Sequence, residues 1–261
     1  MTESFGSAAI GEAIDAASGT ALCAYITAGY PSLDGFADIL TAVAGTADVV
    51  EIGVPFTDPM ADGLTIQRAS RVALENGVTL EWIFEVLSDM APSLKAPHLL
   101  MGYYNPFLAF GLDRLGVAMT ETTTSGLIIP DLPIDESGPL LETLQPRGLA
   151  LVQLVTPTTP EDRLIRLTSA GGGFVYAVTT TGVTGGDAAL PTPTLAYLDR
   201  VGSAASLPVL AGFGVRSRDQ VETLSGHVDG VVVGSALIEA IDRGEDPGVF
   251  LEELRPAAVS A

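Results

Sequence analysis

Cysteine and lysine are nearly missing from this 261-residue chain, which has one of each. Cys23 alone cannot close an internal disulfide, and its place in the strand-like "ALCAYITAG" reads as core packing rather than thiol chemistry. Lys95 stands in "APSLKAP", a loop-like stretch between prolines. Basic residues are scarce as a class. Twelve Lys and Arg oppose 32 Asp and Glu, and a formal net charge of −20 argues against nucleic acid or an anionic membrane as partner. No apolar run approaches the roughly 20 residues of a membrane span. The opening "MTESFGSAAIGEAIDAASGT" lacks a basic n-region and a long apolar h-region, so the cytoplasm is the expected location.

What is present is a chain 47% hydrophobic and 17% charged, able to bury a large core. No tract of Pro, Gly and Ser divides it, so a single domain over 1–261 is expected. Short β-branched runs recur at 21–29, 48–54, 98–104, 126–131, 150–156, 174–179, 208–214 and 229–235. Segments of helical period lie between them, such as "LDGFADILTAVAG", "LEWIFEVLSDMA", "ESGPLLETLQ" and "SRDQVETLSG". In the last of these Ser217 reads as an N-cap and Gly226 as a stop. Eight βα units at this length predict a closed (β/α)8 TIM barrel, an α/β fold, with extra helices near 8–17 and 247–256. The competing doubly wound sheet lacks its fingerprint, since "TAGYPSLDG" after the first run holds no G-x-G-x-x-G.

Within the second run, "DVVEIGV", a glutamate interrupts the apolar pattern. Strand alternation puts Val49, Glu51 and Gly53 on one face and Val50, Ile52 and Val54 on the other. The aliphatic face suits helices, so Glu51 points into the barrel near its C-terminal mouth, where barrel enzymes place their sites. An unpaired buried carboxylate costs several kcal/mol unless it takes up a proton, which makes a structural role for Glu51 a poor explanation. The following "PFTDPMADGLT" adds Asp58 and Asp62, each a common turn former, on a loop that crosses that mouth. Two carboxylates in different environments run acid and base steps at one pH.

The runs at 208–214 and 229–235 lead into "AGFGVRS" and "VGSALIEA", the loops that in such barrels bind phosphate on backbone N–H groups and a short helix N-terminus. Gly212, Gly214 and Gly234 would let the backbone approach an anion, with Ser235 adding a hydroxyl. "TTGVTGGDAALPTPT" has no apolar period and reads as a lid. His98 and His227 fall at the wrong end of the barrel for a shared metal, and Lys95 precedes the third strand, away from any mouth chemistry. Acid/base chemistry on a small phosphorylated substrate, without metal or Schiff base, remains.

Taken together, "EIGVPFTDPMADG" with "TIQ" after it, "MGYYNPF", "PDLPIDES", "GVTGG", "GFGV" and "GSALI" resemble the tryptophan synthase alpha subunit family over essentially the whole chain. The resemblance implies a (β/α)8 barrel that cleaves indole-3-glycerol phosphate to indole and D-glyceraldehyde 3-phosphate by a retro-aldol break. It implies Glu51 as general acid/base and Asp62 as the carboxylate on the indole nitrogen. Tyr25, Tyr103 and Tyr176 match positions near the substrate, with Tyr25 standing where phenylalanine is common. Thr184 and Gly185 match the lid, and Gly212, Phe213, Gly214, Gly234 and Ser235 the phosphate end. Thr180 departs from relatives that carry a lid arginine there. The family's beta subunit receives the indole and holds pyridoxal phosphate, with no cofactor expected in this chain. Loops containing Pro55, Asp58, Asn105 and Asp131 match its contacts in an alpha2-beta2 tetramer. Two other readings stay open: a stand-alone indole-3-glycerol-phosphate lyase, and a non-catalytic binder of phosphorylated ligand that regulates a partner.

Overall fold

β-branched residues fill a pleated surface buried on both sides, and that is how the eight short runs are used. In the computed structural model, which describes residues 5–179, 192–212 and 214–256, they form the strands of one sheet. These are β1 (Ala21–Thr27), β2 (Val49–Gly53), β3 (His98–Met101) and β4 (Gly126–Ile128), then β5 (Ala150–Val155), β6 (Val175–Val178), β7 (Val209–Gly212) and β8 (Gly230–Val233). Every neighbouring pair is parallel, and β8 closes on β1 through Ala21 opposite Gly230. The result is the (β/α)8 barrel.

Alternation divides the core in two. Inside the barrel pack Ala21, Cys23, Val49, Leu99, Ile128, Val152, Leu210 and Val232. Outside it, Val50, Ile52 and Val54 of the β2 segment meet the surrounding helices, in company with Leu40, Ile83 and Leu100. At the N-terminal end the barrel is plugged by helix Ser7–Asp15, whose Ile10 and Ile14 join the inner cluster. The Ser7 hydroxyl accepts from Gly173 N at 2.8 Å and fixes that plug to the segment before β6. At the other terminus Asp246 caps helix Pro247–Leu254 by accepting from Val249 N. Arg255 then pairs with Asp48 at 3.1 Å, and the same carboxylate accepts from Leu22 N at 2.8 Å.

Helices outnumber the sequence expectation. Between β2 and β3 there are two, Leu64–Glu75 and Leu80–Met90. The first follows a Pro- and Asp-rich loop and buries only Ala69, Ser70 and Ala73, so no large apolar stripe announces it. Leu112–Glu121 and Glu161–Ala170 fill places that the βα repeat requires after β3 and β5, whereas the short helix Tyr104–Phe110 is an addition to it. The strand read over 98–104 ends at Met101, because Tyr104 turns into a helix whose first amide donates to Asp131 at 2.9 Å. Residues 192–194, read as lid, form the first turn of helix Thr192–Ala204. Ser217 does precede helix Arg218–Leu224 with extended backbone, yet its side chain makes no capping bond. Gly226, with φ of 92°, follows its end.

Candidate active site

β2 carries Glu51 on its inner face, opposite Tyr25 of β1 and Leu99 of β3. The side chain is 0% exposed. Its Oε1 accepts from Cys23 Sγ at 3.4 Å, and Oε2 has no partner among the described residues. Burial pushes the carboxyl up to about 8, against a smaller downward pull from the thiol. Glu51 is therefore a protonated acid at neutral pH.

Asp62 lies on the loop that leaves β2 and is held from two sides. Tyr103, just beyond β3, accepts from Ala61 N at 2.7 Å and donates to Asp62 Oδ2 at 3.4 Å. Gln67, one turn into the next helix, donates to the Asp62 carbonyl at 2.8 Å and to that of Pro59 at 3.4 Å. Phe56 stacks on the Tyr103 ring with centroids 5.0 Å apart, closing the loop over an aromatic pair. Partial burial raises Asp62 to about 6, opposed by the Tyr103 bond. The two carboxyls are thus pushed apart, one protonated and one ionised between about 6 and 8.

Two tyrosines reach into the barrel above this level, each over a glycine. A Cβ on Gly53 would lie 2.1 Å from the Tyr25 hydroxyl, and one on Gly212 would lie 2.4 Å from Tyr176 Cε1. Gly212, expected to admit an anion, has the nearer duty of admitting the Tyr176 ring. Tyr25 bonds Thr27 Oγ1 at 3.3 Å. Burial first, and then the charges of Asp62 and Glu51, raise the Tyr25 phenol far above its usual value; burial and the same two carboxylates do so for Tyr176. Both phenols stay neutral.

At the other side of the mouth, Gly214 has φ of 65°, a left-handed conformation that favours glycine. Gly234 needs no such freedom: its φ is −118°, and a Cβ would meet Tyr25 at an ordinary 3.5 Å. It precedes helix Ser235–Asp242, whose first N–H groups have no intrahelical partner and form the positive end of the helix dipole. Glu239 of that helix accepts from Thr65 at 3.1 Å and from Arg216 at 2.6 Å, joining the helix after β8 to the start of the helix after Asp62. Thr180, Thr184, Gly185 and Phe213 lie outside the described residues.

Of the expected partner-contact residues, Asp58 and Asp131 are exposed on the segments after β2 and β4, and Asn105 is exposed in the first turn of helix Tyr104–Phe110 after β3. Pro55 is buried in this chain, packed at the strand end. Met60, 92% exposed on the segment after β2, and Leu108, exposed on helix Tyr104–Phe110, carry no polar signal that sequence reading could have used. Phe56, Gln67 and the Cys23 thiol were also missed, because their contacts are tertiary. Among the described residues no group of three or more His, Cys, Asp and Glu could hold a metal, and no helix is long and apolar enough to cross a membrane. His98 turns away from the barrel interior to bond Thr124 at 3.2 Å, and burial lowers it to about 4.

Residues 12–256 match the family model described as tryptophan synthase alpha chain. The chain belongs to that family. It is 44% identical over 238 residues to the tryptophan synthase alpha chain of Roseiflexus castenholzii, covering 90% of this chain and 91% of that one. With the alpha chain of Solidesulfovibrio magneticus it shares 42% over 256 residues, 98% of this chain and 100% of the relative. Among solved structures, Mycobacterium tuberculosis tryptophan synthase superimposes with a TM-score of 0.86 at 32% identity, covering 95% and 98% of the two chains. The tryptophan synthase α2β2 complex of Pyrococcus furiosus contributes a chain with a TM-score of 0.84 at 33% identity, covering 90% and 98%. As a tryptophan synthase alpha chain, the protein is a carbon–carbon lyase of tryptophan biosynthesis that cleaves indole-3-glycerol phosphate.

Proposed function

We propose that Glu51 is the general acid and base of this cleavage and that Asp62 receives the indole N–H. Indole leaves poorly as a carbanion, so its C3 must be protonated before the C–C bond breaks. Glu51, held as the acid by burial, gives its proton to C3 and becomes a carboxylate. Positive charge then develops at N1 and is met by the ionised Asp62. The side-chain hydroxyl next to C3 loses its proton to Glu51, the C–C bond breaks, and its electron pair returns to the ring. Indole and glyceraldehyde 3-phosphate result, with Glu51 protonated again. One carboxyl can play both parts only if its pKa is near the working pH, and a value of about 8 supports this most directly.

Tyr25, Tyr103 and Tyr176 surround the indole in this reading. Backbone at Gly212, Gly214 and Gly234, the Ser235 hydroxyl and Phe213 take the phosphate, while Thr184 and Gly185 cover it. The whole of 1–261 acts as one domain in the cytoplasm. A beta subunit carrying pyridoxal phosphate receives the indole on the face of Asp58, Asn105 and Asp131, with Pro55 reached only if that loop moves. The likeness to a chain of the Pyrococcus furiosus α2β2 complex, and Met60 exposed on the Asp58 loop, support that partner. The test is indole release from indole-3-glycerol phosphate by the purified chain, alone and with a beta subunit. Slow release that the beta subunit accelerates is expected; a full rate indifferent to it contradicts the partner reading.

A further inference from the structure

The layer beneath Glu51 is apolar except at one point. One layer deeper than the Tyr25–Glu51–Leu99 row lies Cys23, opposite Val49 on one flank and Val232 on the other. An aliphatic side chain would suit those neighbours. The thiol instead reaches up to Glu51, with Sγ 3.4 Å from Oε1 and both residues 0% exposed. Tyr25 on β1 and Tyr176 on β6 are the other titratable groups near Glu51, with Asp62 and Tyr103 beyond Tyr25 and the Asp48 charge acting on the thiol. None of them hydrogen-bonds the carboxyl, so among the described residues the thiol is the sole group that does.

Resting on the acid/base reading of Glu51, we propose that Cys23 is a positioning residue for the cleavage: its thiol occupies Oε1, so that the transferable proton resides on Oε2. A carboxylic acid whose one oxygen accepts a bond from below carries its proton on the other oxygen, here the buried atom left without a partner. A thiol suits the task because it is a weak donor. It orients the group and favours the carboxylate slightly, where an ammonium would hold Glu51 ionised and remove the acid. The thiol itself stays protonated, since burial and then the Glu51 charge push it well above its usual value.

The experiment uses the full chain with Cys23→Val, which fills the layer without a donor, and Cys23→Ala, which empties it, alongside Glu51→Gln. Both Cys23 variants are expected to move the basic limb of the kcat profile upward by roughly half a pH unit or more, the scale of a weak bond to a charged group. Their kcat falls while KM stays near that of the unaltered chain. Infrared spectroscopy gives a second readout, because the chain has a single S–H group. Its band should shift to lower frequency as pH rises through about 8 and Glu51 ionises, and should not shift in Glu51→Gln. An unchanged basic limb in Cys23→Val, with Glu51→Gln inactive, overturns the positioning role alone. Normal turnover in Glu51→Gln overturns the parent reading as well.

Discussion

The hydroxyl of Tyr103 holds the Asp62 loop by two bonds, accepting from the Ala61 amide at 2.7 Å and donating to the Asp62 carboxylate at 3.4 Å. Tyr103 is therefore expected to hold Asp62 in place as well as to line the substrate pocket. Burial raises the phenol, the Ala61 amide opposes that rise, and the nearby Asp62 charge adds to it, leaving Tyr103 at about 12. It remains a donor throughout the working range.

Tyr103→Phe keeps the ring stacked on Phe56 and removes both bonds. Because the Tyr103 bond lowers Asp62, its loss should move the acid limb of the kcat/KM profile above about 6. Turnover should fall about tenfold, since a loosened group loses orientation at the reacting centre. Thermal melting should change little, as the loop carries few core contacts. An unmoved acid limb sets this role for Tyr103 aside.

Gly234→Asp should weaken substrate binding far more than folding. A Cβ at this position has ordinary clearance, so the backbone need not shift. A carboxylate at the helix N-terminus would oppose the substrate phosphate, and like charges juxtaposed cost several kcal/mol. Steady-state kinetics should show KM raised by about 10² or more with melting near that of the unaltered chain. An unchanged KM moves the phosphate elsewhere.

Stability should depend on Glu51 in a defined pH window. Its folded pKa of about 8 lies above the ordinary 4.5, so the folded state favours the protonated form. The favourable contribution is complete below about 4.5 and is lost as pH rises to about 8. Asp62, raised from 3.8 to about 6, acts in the same sense over a lower window. Buried His98, lowered from 6.5 to about 4, acts oppositely and destabilises as pH falls. Glu51→Gln should then melt near the unaltered chain at pH about 4.5 and clearly above it beyond pH about 8, by an amount on the order of a few kcal/mol. Equal melting at both pH values removes burial as the cause of the shift.

Much of this was legible in the chain itself. The eight β-branched runs announced the barrel, and alternation around Glu51 placed its carboxyl inside, because the helix-facing set Val50, Ile52 and Val54 is wholly aliphatic. Helix Leu64–Glu75 was not legible, since it buries alanine and serine rather than a large apolar stripe. Nor were the bonds that shape the candidate site. Cys23 and Glu51 are 28 residues apart, and Tyr103 and Asp62 are 41 apart, and only barrel closure and the turn of the β2 loop bring them together. Gly212 was read from the sequence as an approach for an anion, whereas the steric demand the structure shows there, the Tyr176 ring, comes from a neighbouring strand.

The most direct test is single-turnover cleavage of indole-3-glycerol phosphate by Glu51→Gln, with substrate binding measured on the same sample. Glutamine keeps the shape of the side chain and removes the transferable proton. The rate of indole formation should fall by at least about 10²-fold, the low end for general acid/base catalysis, while substrate still binds. Folded Glu51→Gln protein that forms indole at the normal rate would contradict the account, and Glu51 would then be a structural carboxyl of β2.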